Sequence, residues 1–372
     1  MKVLYIFTFD YSLETWYVTG TLEKELKIFE ELVDKKNIHF TFLTYGGEAD
    51  FTLKPGSKNI NVIPIFENMK KRRNKFIKVF KSIYFVLKNK DEIKQYDLIQ
   101  HNQLNGSWLG IFIKLITKKP YILRTGYDTY KFAVEENKSF IKKMFFLLLT
   151  NLNLFFADFY SVTSNADFNY SKNYRVRPKK IVVRPNWIVV DNNNDFESRD
   201  SKKILAVGRL EKQKNFERLI NDFKNSDFEI DIVGVGSRLN NLIELSKLNS
   251  VNVNFLGQLN NNELNKKYKE YRYFVSTSHF EGNPKTVLEA MSNGCVVLLS
   301  KIENHKELIN DNESGFFVKD NESYCKKLSY ISQDLKDLKN VSKAAKDFVF
   351  ERNDINKLVE NIYQDYEFLS LK

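Results

Sequence analysis

The sequence predicts an α/β protein of two doubly wound, parallel-sheet domains, and three observations carry that prediction. Short β-rich apolar runs alternate with helical-period segments from end to end, the pattern of parallel strands joined by crossover helices. A chain of 372 residues corresponds to about two domains. A polar stretch near the middle divides the apolar runs into two sets. Hydrophobic residues form 42% of the chain, enough for two packed cores, which excludes disorder and a small disulfide scaffold.

In the first set, Val3 to Phe9, Ile38 to Thr44, Leu98 to Gln100, Tyr121 to Arg124, Phe159 to Thr163 and Ile181 to Val183 read as strands. In the second, Lys203 to Gly208, Glu229 to Val233, Val253 to Leu256, Tyr273 to Ser276 and Val296 to Ser300 do the same. The junction falls at Arg184-Pro185-Asn186-Trp187 and the polar run Asp191 to Asp200, which carries Asn192, Asn193 and Asn194. The expected domains are residues 1–185 and 186–354. Such sheets bind ligands beyond the carboxyl ends of their strands, so chemistry should follow strand ends.

Lys and Arg number 58 against 47 Asp and Glu, a net charge of +11, which points to anionic partners: nucleotide phosphates, acidic lipid headgroups or nucleic acid. Only Cys295 and Cys325 occur, which suits a reducing compartment and leaves no Cys/His cluster with zinc spacing. No targeting segment is expected ahead of Val3 to Phe9, a run too short for a signal core and followed by Asp10 and Glu14. No apolar run approaches the roughly 20 residues that span a bilayer. The expected location is cytoplasmic.

The most informative stretch runs from Ser276 through His279-Phe280-Glu281-Gly282-Asn283-Pro284-Lys285-Thr286 to Glu289 and Gly294. Pro284 suits the first helical position and Gly294 the C-terminal stop, so a helix should begin where a strand-end loop closes. The N–H groups from Asn283 to Thr286 offer an anion site, and Gly282 permits close approach of a ligand. Glu281 lies just ahead of the helix and Glu289 two turns along it. Either carboxylate alone is as readily a solvated or dipole-complementing charge as a ligand; two beside one anion site make the solvated reading much less favoured.

This stretch resembles the retaining glycosyltransferases of family 4, which carry a Glu-x7-Glu motif of the form E-G-x-P-x-x-x-L-E-A-M on the GT-B fold. The resemblance implies two Rossmann-like domains facing across a cleft, an N-terminal acceptor domain and a C-terminal nucleotide-sugar domain, with the helix 355–372 packing back on the first. It implies that Glu281 contacts donor-sugar hydroxyls, that Glu289 binds the ribose, and that Gly282, Asn283, Pro284, Lys285 and Thr286 hold sugar and diphosphate. Ala206-Val207-Gly208-Arg209-Leu210-Glu211-Lys212-Gln213-Lys214-Asn215 is similar to the family's V-G-R-L-x-x-x-K-N segment, so Gly208, Arg209 and Lys214 are expected on the donor diphosphate. Fixed cations there would stabilise the charge left when a sugar–phosphate bond breaks. Gly234, Gly236 and Leu256 resemble the family's G-x-G turn and base-side loop.

That G-x-G lacks the third glycine of a dinucleotide fingerprint, no P-loop occurs, and no NAD site is expected. Asp227, Glu229 and Asp231 alternate along one strand face and read as solvated side chains rather than metal ligands. In the amino-terminal half, Gly20, His101, Arg124 and Thr125 fall at the family's acceptor-side positions, with Thr125 where many members have histidine and with the usual paired glycine beside Gly20 missing. Arg124 or His101 is the candidate to supply the charge that Thr125 lacks. His39, His279 and His305 are scattered and read as structural, although His279 stands two residues from Glu281.

Lys70, Lys71, Arg72, Arg73, Lys75, Lys78, Lys81 and Lys88 surround the helical-period apolar residues Phe76, Val79, Phe80, Ile83, Tyr84 and Leu87. From Asn61 to Lys90 nine basic residues stand against the single acid Glu67. Such a helix suits an anionic membrane surface, contacted by Lys70 to Arg73 and Lys75, or it packs ordinarily on the sheet with its lysines in water. Lys138 to Phe156 is a second such segment. Nucleic acid is not expected, because no base-reading motif accompanies the charge.

The resemblance to family 4 implies retaining, metal-independent transfer of a hexose from a UDP- or GDP-linked sugar. The acceptor is a glycan or lipid-linked glycan of surface polysaccharide synthesis, and the protein is peripheral on the membrane. No cofactor is expected. Two other classes stay open: a glycoside hydrolase using Glu281 and Glu289, and an inactive binding partner that keeps the fold.

Overall fold

A computed structural model describes residues 1–67, 74–176, 179–189 and 196–371. The chain divides into two compact units, Met1–Arg184 with Asn356–Lys372, and Pro185–Ile355.

The first unit holds β1 (Lys2–Ile6), β2 (His39–Thr44), β3 (Ile60–Pro64), β4 (Leu98–Asn102), β5 (Tyr121–Arg124), β6 (Phe159–Val162) and β7 (Ile181–Val183). They form one parallel sheet in the order β3-β2-β1-β4-β5-β6-β7. The central strands are apolar on both faces because crossover helices cover both. Tyr5, Phe29 and Phe42 meet on one of those faces at centroid separations of 4.7 to 5.6 Å. The last helix, Ile355–Ser370, is tied to this unit by Asp365, which accepts two hydrogen bonds from Arg184 at 2.7 Å, and by a Tyr366–Gln100 contact.

The second unit holds β8 (Asp200–Val207), β9 (Glu229–Val233), β10 (Val253–Gly257), β11 (Tyr271–Ser276), β12 (Val296–Ser300) and β13 (Phe316–Val318), in the order β10-β9-β8-β11-β12-β13. All adjacent pairs are parallel. The order reverses between β8 and β11, and a ligand crevice opens at the carboxyl ends of strands at such a switch point. Both chemistry-bearing segments of the second unit leave from these two strands.

Two strands lie outside the sequence expectation, β3 and β13. Both are sheet edges, one running into Pro64 and the other three residues long, so neither leaves a long apolar run. A correction concerns Asp231, expected in solvent: it is 5% exposed, accepts from Asn254 Nδ2 at 2.8 Å and pairs with the Tyr271 hydroxyl. Satisfied hydrogen bonds make the burial of such a carboxylate tolerable.

Candidate active site

β8 ends at Val207 and the chain turns through Gly208-Arg209-Leu210 into a short helical turn, Lys212–Lys214. A Cβ at Gly208 would lie 2.9 Å from Cε of Lys214, so the bare backbone leaves room for the lysine to lie over the strand end. The loop after β9 packs directly on this turn. Gly234 has φ +145° and its Cβ would fall 1.9 Å from the Gly208 carbonyl oxygen; a Cβ on Gly236 would come 2.5 Å from that of Leu210. The turn is held by N–H donation from Gly208 to Val233 at 2.9 Å and from Leu210 to Val235 at 3.0 Å.

Glu281 follows β11 and is 6% exposed. Lys214 Nζ donates to its Oε1 at 2.6 Å, and Ser278 Oγ donates to the same oxygen at 2.6 Å. Gln213 Nε2 donates to Oε2 at 3.4 Å and to the Phe280 carbonyl at 2.9 Å, while its Oε1 accepts from Arg209 Nη2 at 3.1 Å. One buried amide thus connects the two cation-bearing parts of the site. Burial pushes the Glu281 carboxyl up, but the Lys214 charge and the hydrogen bonds of Lys214 and Ser278 outweigh it and leave it below the usual carboxylate value.

Behind the carboxylate, Ser300 Oγ at the end of β12 donates to the Ser278 carbonyl at 2.6 Å. His305 is fully buried with Nδ1 2.8 Å from the Ser300 carbonyl, so Nδ1 carries the proton. Burial lowers the His305 imidazole to about 4 against the opposing pull of Glu281. It is therefore neutral at pH 7, and Lys214 is the cation that offsets Glu281. Gln213, Ser278 and Ser300 were not singled out by sequence reasoning, and His305 read as scattered. Gln213 sits inside a recognisable motif, whereas Ser300 ends the neighbouring strand, His305 lies in the short helix Glu303–Lys306 after it, and neither carries a local signal. His279 is exposed, and its backbone N–H donates to the Gln213 carbonyl at 2.9 Å.

The helix Lys285–Ser292 starts one residue later than expected, with Pro284 in the capping position. A proline there leaves no donor to satisfy, and the N–H groups of the first turn point out of the helix start. Gly282 and Pro284 are buried. The Asn283 side-chain oxygen accepts from the Asn186 N–H at 2.9 Å and the Asn283 carbonyl accepts from Asn186 Nδ2 at 2.6 Å, which fixes the loop. Lys285 Nζ lies 4.5 Å from the Trp187 ring centroid. Thr286 is half-buried in the first turn. Glu289 is 7% exposed and accepts from the Tyr268 hydroxyl at 3.2 Å, and Gly294 ends the helix at φ +80°. Leu256 is half-buried against the apolar cluster around Leu205 and Val233.

In the first unit, Gly20 turns the chain at φ +68° between helices Leu13–Val18 and Leu22–Lys36. His101, Arg124 and Thr125 lie at the carboxyl ends of β4 and β5. Their side chains are largely committed within the fold. His101 is fully buried, its Nδ1 2.9 Å from the Gln103 carbonyl, and burial pushes its imidazole down to about 3. It is neutral at pH 7 and cannot supply the charge that Thr125 lacks. Arg124 Nη2 donates to the Arg184 carbonyl at 3.4 Å, and Thr125 Oγ1 donates to the Ser161 carbonyl at 3.4 Å.

Lys70, Lys71, Arg72 and Arg73 lie outside the described residues, and Lys75 is exposed at the start of the helix Lys75–Lys88. That helix departs from the alternative reading, in which its apolar face packs inward and its lysines stand in water. Lys78 is 6% exposed and paired with Asp10, whereas Phe76, Phe80, Tyr84 and Leu87 face outward. Val79 and Val86 supply the packing on the core instead.

Comparison with known proteins agrees with this architecture. The family model for glycosyl transferases group 1 matches residues 191–348. An Escherichia coli protein, UDP-Gal:alpha-D-GlcNAc-diphosphoundecaprenol alpha-1,3-galactosyltransferase, is 26% identical over 314 residues, 77% of this chain and 78% of that one. The Campylobacter jejuni N-acetylgalactosamine-N,N'-diacetylbacillosaminyl-diphospho-undecaprenol 4-alpha-N-acetylgalactosaminyltransferase is 31% identical over 161 residues, 41% of this chain and 44% of that one. Among solved structures, Anabaena HepE in complex with UDP and glucose superposes with a TM-score of 0.77 over 99% of both chains at 16% identity, a likeness of fold. Residues 191–348 accordingly match the glycosyl transferases group 1 family, and the chain has the GT-B fold.

Proposed function

We propose that this protein is a glycosyltransferase that moves a hexose from a nucleoside diphosphate sugar to an acceptor hydroxyl with retention of anomeric configuration, as in family 4. The observation that carries the reading is the Glu281 carboxylate, kept ionised by Lys214 beside the start of the helix Lys285–Ser292. Ionised Glu281 accepts from donor-sugar hydroxyls, and Glu289 from the ribose. Arg209, Lys214 and the first-turn N–H groups hold the diphosphate, where fixed positive charge lowers the barrier to its departure. The bond from the anomeric carbon to the diphosphate oxygen breaks, and a bond to the acceptor oxygen forms on the same face. The acceptor proton passes to the departing phosphate oxygen. Arg209 and Lys214 supply the charge a metal would otherwise bring, so transfer proceeds without one.

The acceptor in this reading is a lipid-linked glycan of surface polysaccharide synthesis, reached by a protein peripheral on the cytoplasmic face of the membrane. The relatives named for diphosphoundecaprenol-linked substrates support it, as does the basic composition around Lys75. Calorimetric titration of UDP- and GDP-linked hexoses into the protein and into Arg209→Ala tests the donor site. One sugar nucleotide should bind selectively and lose at least tenfold in affinity with the variant. No binding by any member sinks the activity and favours an inactive partner. NMR of the anomeric proton of the product then decides retention against inversion.

A further inference from the structure

The outward apolar stripe of the helix Lys75–Lys88 is not isolated. Phe76, Phe80, Tyr84 and Leu87 are 52 to 78% exposed, and their spacing of four, four and three residues aligns them along one side. The helix Phe140–Phe156 repeats the arrangement. Leu149 and Leu154 enter the core, while Ile141, Phe145, Leu148, Leu152 and Phe155 stand outward. Between them the helix Trp108–Thr117 packs on both and adds exposed Leu115. The inner faces of all three share one core, so the outer faces form one continuous surface of the first unit. An exposed apolar patch of this extent marks an interaction site.

Its charge selects the occupant. None of the three helices contains an acidic residue, and Lys75, Lys88 and Lys142 are exposed near the helix ends. Pairing two copies through this face would bring like charges together. An anionic bilayer supplies both the opposite charge at the headgroups and an apolar layer for the aromatic side chains. Among the described residues no helix is long and apolar enough to cross a membrane, so the face can only lie on one.

We propose that this three-helix face inserts its apolar stripes into the headgroup and upper acyl region of an anionic membrane, with the lysines at the lipid phosphates. Docking is then carried by side chains such as Phe80, Tyr84, Phe145 and Leu148, and not by the Lys70 to Arg73 string alone. The proposal rests on the membrane-held acceptor reading for its purpose, while its test reads lipid binding without turnover.

The experiment is flotation of the full chain with vesicles of equal parts phosphatidylcholine and phosphatidylglycerol. The comparison is with Phe80→Ser/Tyr84→Ser and Phe145→Ser/Leu148→Ser variants. The parent protein should float and retain part of its binding at high salt, because apolar insertion is not screened. Each double variant should lose at least tenfold in partitioning while sugar-nucleotide binding by the second unit and the circular dichroism spectrum stay unchanged. Failure of the parent to float overturns the proposal, as do variants that float undiminished. So does a lipid-free dimer, seen by sedimentation, that the same substitutions dissociate. Flotation without transfer to a lipid-linked acceptor would sink the activity reading and leave the docking face standing.

Discussion

Lys214 Nζ stands 2.6 Å from Oε1 of Glu281, and the two side chains are 14% and 7% exposed. Removing one member of such a pair leaves the other as an uncompensated buried charge. Lys214→Met should therefore destabilise the second unit by about 3 kcal/mol or more, and Lys214→Met/Glu281→Gln by distinctly less. Denaturant unfolding of the three proteins provides the cycle. The pH sign follows from the depressed Glu281 carboxyl: its contribution is present above the ordinary carboxylate value and disappears as the pH falls through the lower folded value. In Lys214→Met the depression is gone, so mild acid should relieve the variant while weakening the parent.

Gln213 spans Arg209 and the Phe280-Glu281 loop, donating to Phe280 and accepting from the guanidinium. Gln213→Leu keeps the volume but releases Arg209 and leaves a buried carbonyl without its donor. A loss of about 1 to 3 kcal/mol is expected, a roughly tenfold to hundredfold fall in kcat/KM for the sugar nucleotide. Steady-state release of the nucleoside diphosphate measures it; an unchanged kcat/KM would show that Arg209 needs no anchor.

The legible parts of this chain are those in which neighbours in sequence are neighbours in space. The fold class followed from alternating strands and helices, and only the edge strands β3 and β13 left too little pattern to find. The loop carrying Glu281 was visible because its glycine, proline and second glutamate lie within a few residues. The support behind Glu281 was not, since Ser300 at the end of β12 and His305 in the short helix after it stand across a strand pairing that no local pattern records. The helix Lys75–Lys88 failed for another reason. It has apolar residues on opposite sides, Val79 and Val86 against Phe80 and Tyr84, so periodicity gives a helix without saying which side meets the core.

Two glycines in similar places should behave differently. Gly234 has φ +145° and an added Cβ would lie 1.9 Å from the Gly208 carbonyl oxygen; Gly257 has φ +69° with nothing within 4 Å of such a Cβ. Gly257→Ala meets only the left-handed backbone penalty, about 1 to 2 kcal/mol. Gly234→Ala must also push apart the turns that carry Arg209 and Lys214, and should lose sugar-nucleotide binding along with more than about 3 kcal/mol of stability. Thermal unfolding and calorimetry on both variants would show the contrast, and equal effects would mean that the turn after β8 is compliant.

Acid should destabilise each unit through a different histidine. Burial lowers His305 to about 4 in the second unit and His101 to about 3 in the first, against an ordinary value of 6.5. Each folded unit therefore binds its imidazole proton less readily than the unfolded chain. The stabilising contribution is full above pH 6.5 and is lost progressively as the pH falls toward about 4 for His305 and about 3 for His101. For His305 the whole effect is on the order of 3 kcal/mol. Chemical unfolding between pH 7 and 4.5 should accordingly show uptake approaching one proton per unit, and His305→Gln should flatten the profile of the second unit only. A parent protein whose stability is level across this range would require the imidazoles to find a partner for the second proton inside the fold.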